Sequence, residues 1–246
     1  MKINLAWVPN SLTLGNMFLG FVSLVFSSMG SASNTQPFFM AGIMILGAAL
    51  FDGLDGPTAR ALKVTSKLGA ELDSLADCVA FGIAPGFLAY RAYLSGMMIS
   101  LFGYEIDAGV AIAAIFPLCA AYRLARFNVD HVPDSFSGLP SPVAGILVGL
   151  VPVCIAGTMI QQGFPKILFI VAFVATAFLM VSTIRFSKPQ ATIAKHFPGI
   201  RIVLLIVFLA VFIIIFKKWS VFVVVGIYII AGLLSFIIQF IQDHRY

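Results

Sequence analysis

Runs of about 20 mainly apolar residues occupy most of this chain, and they restrict its possible folds more than any other feature. Within the hydrocarbon core of a bilayer, only helices and closed barrels satisfy every backbone N–H and C=O group. The runs fall at roughly 9–29, 37–60, 69–93, 105–127, 139–160, 164–184, 199–216 and 219–241. Their length matches a spanning helix, so the sequence predicts an all-α, polytopic membrane helical bundle with about eight transmembrane helices.

Composition excludes the soluble alternatives. Of the 246 residues, 61% are hydrophobic and only 10% are charged, whereas a soluble domain has about 25% charged residues. A net charge of +5 raises the question of nucleic-acid binding, but the cations form neither a run nor an amphipathic stripe, so no nucleic-acid partner is expected. The three cysteines and three histidines are too scattered to form a metal site.

The cations give the expected orientation. With the N-terminus in the cytoplasm, eleven Lys and Arg residues fall on the cytoplasmic side of the predicted bundle and four on the other side. Cytoplasmic connections of membrane proteins carry such an excess. We therefore expect a multi-pass protein of the cell inner membrane with both termini in the cytoplasm.

Carboxylates concentrate in one short window. Five of the ten acidic residues lie between positions 52 and 77. Asp52 and Asp55 stand three residues apart near the end of the second run, and Asp73 and Asp77 stand four apart near the start of the third. Each spacing places the pair on one face of a helix. Because a short connection makes these helices antiparallel neighbours, the four carboxylates are expected to meet in one cleft at the cytoplasmic ends of the early helices.

Four carboxylates at close range need cations, because like charges disfavour one another. Oxygen ligands of this kind suit Mg²⁺ or Mn²⁺, and a pair of such ions can clamp the oxygens of a phosphoryl displacement. Arg60, Thr58 and Ser66 are candidate phosphate partners beside the cleft. A cation transporter that uses the carboxylates as its ion site is an alternative, although the second half of the chain has no matching acidic window.

The acidic window also carries a family resemblance. The spacing D-x2-D-G-x2-A-R-x8-G-x3-D-x3-D is similar to the signature of the CDP-alcohol phosphotransferase family. Its eight fixed positions are Asp52, Asp55, Gly56, Ala59, Arg60, Gly69, Asp73 and Asp77. The resemblance implies a membrane enzyme that transfers a substituted phosphate from a CDP-linked donor to an alcohol, releases CMP, uses two divalent cations and forms a homodimer. It further implies a family core at 1–185 and a C-terminal two-helix membrane extension at 186–246.

The same resemblance implies individual roles. Asp52 and Asp73 would bridge both ions, and Asp55 would complete the first ion site. Asp77 would bind the second ion and act as the general base on the acceptor hydroxyl. Gly56, Arg60 and Ser66 would contact the nucleotide and its diphosphate. With the polar residues of the first run and the cleft added, the expected CDP-lipid-binding set is Asn16, Gly56, Thr58, Ala59, Arg60, Ser66 and Gly69.

Three further stretches bear on the acceptor alcohol. They are 9–16, 122–128 and 136–142, and they resemble the members of the family that use serine. The implied reaction transfers the phosphatidyl group of CDP-diacylglycerol to serine and gives phosphatidylserine and CMP. Arg123 and Arg126, three residues apart, would then bind the serine carboxylate or a lipid phosphate. A sister enzyme using glycerol 3-phosphate, inositol or inositol phosphate is the alternative within the family.

Overall fold

The computed structural model describes residues 5–101, 103–129, 135–155 and 163–187. Most of these residues are helical. The α-helices are α1 (Trp7–Met29), α2 (Gln36–Leu62), α3 (Lys67–Asp77), α4 (Ala84–Ala89), α5 (Ala108–Val129), α6 (Ser141–Cys154) and α7 (Gly163–Val181). The π-helical turn Cys78–Ile83 joins α3 to α4, and a second π-helical turn, Tyr90–Leu94, follows α4. One continuous helical segment therefore runs from Lys67 to Leu94.

Four segments in the described ranges are long and apolar enough to cross a membrane. They are Trp7–Met29, Gln36–Leu62, Lys67–Leu94 and Ala108–Val129. The third of these is central. In its most apolar 18-residue stretch 56% of the residues are buried, whereas 28 to 33% are buried in the corresponding stretches of the other three. Helix α6 and most of α7 are apolar but shorter. A mainly helical membrane protein is therefore confirmed, while the expected segments 199–216 and 219–241 lie outside the described residues.

Helix α1 has the polarity of a membrane helix. Its outward face carries large apolar side chains, at Leu14, Phe18, Phe21, Val25 and Met29. Its buried face carries small or polar residues, at Thr13, Asn16, Gly20, Ser23 and Ser27. Polar groups inside a bilayer must find partners within the bundle, and small residues let neighbouring helices approach closely. Ser23, for example, donates from Oγ to the carbonyl of Ala41 on α2 at 3.0 Å.

Glycines set the closest helix contacts. A Cβ built on Gly20 would lie 2.7 Å from the Cα of Ala80, in the π-helical turn of the third span. A Cβ on Gly42 of α2 would collide with the carbonyl oxygen of Gly149 on α6. Small residues of this kind replace apolar burial as the means of packing helices in lipid. Aromatic contacts add to the packing elsewhere, as where Phe116 of α5 stacks on Phe173 of α7 at 5.0 Å between ring centroids.

Two short strand pairs correct the expectation of an entirely helical chain. Strands β1 (Met98–Leu101) and β2 (Tyr104–Asp107) form an antiparallel hairpin, so the fourth span starts at Ala108 and not at 105. Gly103 in its connection has a φ of +84°, a conformation that glycine adopts without steric cost. Strands β3 (Ser135–Ser137) and β4 (Arg185–Ser187) pair with each other and bring two distant connections to the same end of the bundle.

Asp107 ties the hairpin to both neighbouring spans. Its carboxylate accepts hydrogen bonds from the backbone N–H groups of Gly96 (2.9 Å), Met97 (3.1 Å) and Gly109 (2.9 Å). The Tyr90 hydroxyl also donates to it, at 3.1 Å. These donors, with the Gly96 N–H first, hold the pKa of Asp107 below its ordinary value. The tie is therefore present at neutral pH and is lost as the pH falls through that lowered pKa.

The contact between α2 and α6 gives a test of the packing. We expect Gly42→Ala to lower the free energy of unfolding by about 1–3 kcal/mol, because the added methyl overlaps backbone that cannot rotate away. Thermal unfolding in detergent micelles measures the change. Gly47→Ala is the matched control on the same helix, since its Cβ would meet only the end of the Leu19 side chain, at 3.3 Å. Equal melting temperatures for the two variants would contradict the assignment.

Candidate active site

A tight turn between α2 and α3 builds the frame of the site. Lys63 ends α2 in the left-handed conformation, with a φ of 55°, and its N–H donates to the carbonyl of Arg60 at 3.2 Å. Three residues later Ser66 begins α3, where its Oγ accepts from the N–H of Gly69 at 3.0 Å. Ser66 is thus a helix N-cap. Because the turn is short, the end of α2 and the start of α3 lie side by side.

The structure brings the four aspartates of the acidic window together. Asp52, Asp55 and Asp73 each present a carboxylate oxygen such that all three atoms lie within 4.8 Å of one another. The carboxyl groups of Asp52 and Asp77 are in hydrogen-bonding contact, and so are those of Asp55 and Asp73. We call Asp52, Asp55, Asp73 and Asp77 the carboxylate cluster.

The carboxylate cluster fits a divalent cation. Asp55 and Asp77 are each only 7% exposed. Oδ1 of Asp73 is buried and has no hydrogen-bond partner among the described residues. A carboxylate oxygen in that position needs a proton or a cation beside it. Several carboxylate oxygens with no nitrogen or sulfur donor among them make a ligand set for Mg²⁺ or Mn²⁺.

Helix α1 supplies the partners that hold two of these carboxylates. Oγ1 of Thr13 donates to Oδ2 of Asp55 at 2.8 Å, and Nδ2 of Asn16 donates to Oδ1 of Asp77 at 3.3 Å. Thr13 and Asn16 are both buried. Their shared helical face was visible in the sequence, but their partners were not. Asn16, which was expected to contact the nucleotide, lines neither of the two pockets described next and instead orients Asp77.

One pocket, of about 190 Å³, lies between α1 and the turn from α2 to α3. We call it the Arg60 pocket. Its walls carry the residues Pro9, Asn10, Thr13, Asp55, Gly56, Ala59, Arg60, Val64, Thr65, Ser66, Gly69, Ala70 and Asp73. Five of the seven residues expected to bind the CDP-linked lipid are among them. Thr58 is not among them; its hydroxyl donates to the carbonyl of Leu54 on the same helix at 2.6 Å.

A second pocket, of about 240 Å³, lies on the other side of the carboxylate cluster. We call it the Arg123 pocket. Its lining is Asp52, Asp73, Ser74, Asp77, Arg123, Leu124, Phe127, Pro140 and Pro142. Arg123 is buried, and its Nη1 donates to Oγ of Ser141 at 2.7 Å. Asp73 belongs to both pockets, so ligands in the two would meet at the same carboxylate.

The two arginines of α5 diverge. Arg126 does not line the Arg123 pocket; its guanidinium donates to the carbonyls of Val181 (2.9 Å) and Ser182 (3.1 Å). Those carbonyls are at the C-terminal end of α7, where unpaired carbonyl groups favour a cation. Spacing alone placed both arginines on one face, and it could not distinguish a side chain that enters the pocket from one that caps a neighbouring helix.

Two polar residues near the Arg123 pocket, Asn128 and Ser141, lie in two of the three stretches that resemble the serine-using members of the family, but no individual role was predicted for them from the sequence. Asn128 accepts a hydrogen bond from the Ser74 hydroxyl at 3.2 Å and donates to Glu71 at 3.3 Å, which links the end of α5 to α3. Ser141 is the buried partner of Arg123. None of these residues has a distinctive spacing. All three contacts join residues at least 18 positions apart, so only the three-dimensional structure identifies the partners.

Helices of membrane-spanning length, a carboxylate cluster that fits a divalent cation and two adjoining pockets indicate a membrane enzyme. Comparison with known families agrees. The family model for CDP-alcohol phosphatidyltransferases matches residues 6–155, a range that contains the whole acidic window. This protein therefore belongs to the CDP-alcohol phosphatidyltransferase family, which confirms the resemblance seen in the sequence.

Individual relatives share a printed name. The CDP-diacylglycerol–serine O-phosphatidyltransferase of Helicobacter pylori is 35% identical over 98% of this chain and 96% of its own length. The enzyme of that name from Mycobacterium leprae is 30% identical over 85% of this chain and 67% of its own length. The enzyme of that name from Bacillus subtilis is 30% identical over 73% of this chain and 89% of its own length.

Metal binding gives a direct test of the carboxylate cluster. We expect Asp73→Asn to weaken Mn²⁺ binding by about 10-fold or more, because the amide removes a charged ligand from the centre of the cluster. The electron paramagnetic resonance signal of free Mn²⁺, followed in a titration of the detergent-solubilised protein, measures the affinity. Glu71→Gln is the matched control two positions away, outside the cluster, and should bind Mn²⁺ as the unaltered protein does. An equal loss in both variants would argue against the cluster as the ion site.

Proposed function

We propose that this protein transfers the phosphatidyl group of CDP-diacylglycerol to the hydroxyl of L-serine and so forms phosphatidylserine and CMP. The observation that carries the proposal is the position of the carboxylate cluster between two pockets that meet at Asp73. Transfer between two substrates needs both reacting groups at one place. The serine-specific names of relatives that are 30–35% identical support the choice of donor and acceptor.

The Arg60 pocket suits the CDP-linked donor. Arg60 is exposed at its edge, and a guanidinium offers a planar pair of donors to a diphosphate. Gly56 keeps the space before this group open, since a Cβ there would start 3.4 Å from Nη1 of Arg60. Gly69 does the same on α3, where a Cβ would lie 3.2 Å from Oγ of Ser66 and 3.4 Å from Oδ1 of Asn10. The diphosphate would thus lie between the two helices, beside Asp55 and Asp73.

The carboxylate cluster would hold two divalent cations. Asp52 and Asp73 would contribute to both ion sites, Asp55 to one of them and Asp77 to the other. When bound, such ions supply positive charge that stabilises the transferring phosphate and the departing CMP. On α1, the Thr13 hydroxyl holds Asp55 in place by a hydrogen bond, and the Asn16 amide holds Asp77 in the same way.

The Arg123 pocket suits serine. The guanidinium of Arg123, held by Ser141, would bind the serine carboxylate and leave the hydroxyl near Asp77. Asp77 then removes the hydroxyl proton as general base. The serine oxygen attacks the β-phosphate of the donor, a new P–O bond forms, and the bond to the α-phosphate breaks so that CMP leaves. The proton remains on Asp77 until the product departs.

A phosphorylated acceptor fits this pocket less well. Among its described lining residues, Arg123 is the one cation, and three carboxylates stand beside it. Glycerol 3-phosphate or inositol phosphate would bring two negative charges to that position and would need further cationic ligands. A zwitterion such as serine brings one carboxylate for the arginine and an ammonium group for the aspartates. The transporter alternative is set aside, because the chain belongs to a family of transferases.

We place the carboxylate cluster at the cytoplasmic ends of the helices. Five cations lie at the same end of the bundle as the cluster, and an excess of Lys and Arg marks the cytoplasmic side of membrane proteins. They are Arg60, Lys63, Lys67, Arg123 and Arg126. The same reading places both termini in the cytoplasm of a cell with the protein in its inner membrane. We further propose about eight membrane spans, of which the family core occupies residues 1–185 and a C-terminal two-helix extension occupies residues 186–246. A homodimer is proposed on the family resemblance.

An acceptor panel tests the proposed function. Purified protein in micelles with CDP-diacylglycerol and Mn²⁺ is expected to release CMP with L-serine, and to release about 10-fold less or none with glycerol 3-phosphate, inositol or inositol phosphate, because the pocket binds a single carboxylate. Asp77→Asn serves as the blank. This variant should not release CMP with any of the acceptors. Preference for any phosphorylated acceptor would overturn the choice of serine.

The two arginines of α5 give a second test. Arg123→Lys is expected to raise the KM for serine about 10-fold or more with little effect on the KM for CDP-diacylglycerol, because an ammonium cannot form the two-point contact with a carboxylate. Arg126→Lys, the matched control three residues away, should leave both KM values unchanged and lower the melting temperature, since it caps α7. Initial-rate measurements of CMP release with each substrate varied would separate the two. A raised serine KM in the Arg126 variant would contradict this division.

A further inference from the structure

A two-faced β-hairpin lies at the end of the bundle opposite the carboxylate cluster, between the third and fourth spans. Directly opposed residues of an antiparallel pair project from the same face. The register pairs Ile99 with Ile106 and Leu101 with Tyr104 on one face. The other face carries Met98, Ser100, Glu105 and Asp107. The hairpin is therefore apolar on one side and mainly polar on the other.

The apolar face is uncovered by the described chain. The exposed fractions of its side chains are 48% for Ile99, 46% for Ile106, 47% for Leu101 and 75% for Tyr104. Four large apolar side chains on one side of so small an element form a contiguous patch, and such patches mark surfaces that are covered in the working protein.

The base of the hairpin is fixed to the membrane-spanning helices. The Asp107 carboxylate accepts hydrogen bonds from the N–H groups of Gly96, Met97 and Gly109. The N–H of Ala108 also donates to the carbonyl of Met97, at 2.9 Å. β1 begins four residues after the third span ends at Leu94, and β2 ends where α5 begins. The hairpin cannot move far from the plane where these two spans leave the hydrocarbon.

We propose that the apolar face of this hairpin lies in the interfacial layer of the bilayer leaflet at this end of the bundle, where it contacts lipid. Another exposed apolar side chain, Val110 at 53%, follows three residues after the hairpin in the first turn of α5. A four-residue strand is about 13 Å long, which suits an element lying in the interface with one face buried. Tyr104, beside the turn, has the amphipathic ring that is enriched at this depth.

The charge of the hairpin defines the lipid chemistry that it recognises. Between positions 95 and 107 the sequence has two acidic residues and no Lys or Arg. Attraction to anionic headgroups therefore cannot hold the hairpin on the membrane, and apolar burial must do so. Contact is expected with acyl chains and glycerol backbones, while Glu105 on the opposite face stays in water.

Tryptophan scanning in bilayers tests the proposal. The full-length protein with its two native tryptophans replaced, Trp7→Phe and Trp219→Phe, is reconstituted in nanodiscs of phosphatidylcholine brominated on its acyl chains. Single tryptophans are introduced on the apolar face by Ile99→Trp and Tyr104→Trp. Brominated lipid should quench their fluorescence at least about twofold more than that of tryptophans on the polar face, and aqueous acrylamide should quench them less. Raising the salt concentration should not change this pattern.

Ser100→Trp and Glu105→Trp are the matched controls on the same two strands, with the opposite quenching expected. Gel filtration and far-ultraviolet circular dichroism establish that each variant is folded. Acrylamide quenching that is equal on the two faces would overturn the proposal, because the hairpin would then stand in water. Shielding of Ile99→Trp and Tyr104→Trp from both quenchers would overturn it as well, since protein and not lipid would then cover the face.

Discussion

The repulsion among four neighbouring carboxylates, two of them buried and two half-buried, governs the architecture of this protein. Oxygen atoms of Asp52, Asp55 and Asp73 lie within 4.8 Å of one another inside a bundle of apolar helices, and Asp77 is in contact with Asp52. Such an arrangement is unfavourable unless positive charge and hydrogen-bond donors surround it. The polar face of α1, the cap at Ser66 and the buried Arg123 all supply what the carboxylates require. The outward face of α1, by contrast, carries the large apolar side chains that suit lipid, such as Phe18 and Phe21.

Helical periodicity was sufficient to predict the carboxylate cluster, because residues three or four apart share a face whatever surrounds them. The spans and the short antiparallel turn followed from run length and from the polar residues between the runs. Family membership followed from eight fixed positions in one window. These features are local in the chain, and local features are what a single sequence encodes most directly.

Contacts between distant segments could not be predicted in this way. Nothing in the spacing of Arg123 and Arg126 indicates that one enters a pocket and the other caps α7, since that depends on where α7 ends. The role of Asn16 depends on the helix that lies opposite it. The β1–β2 hairpin was missed because its apolar residues, Ile106 among them, extend the hydrophobic pattern of α5 toward the N-terminus. Glycines at 96 and 103 were the signal that could have separated strand from helix.

The tight turn at Lys63 also bears on how the protein folds. Asp55 and Asp73 are 18 positions apart, whereas Asn16 and Asp77 are separated by 61. The entropy lost on closing a chain segment grows with its length, so contacts across the turn form at smaller cost than contacts with α1. The sequence separation is short among the aspartates of the carboxylate cluster and long between them and the α1 side chains that hydrogen-bond to them. The carboxylate cluster is therefore a property of a single helical hairpin, to which the rest of the bundle adds alignment.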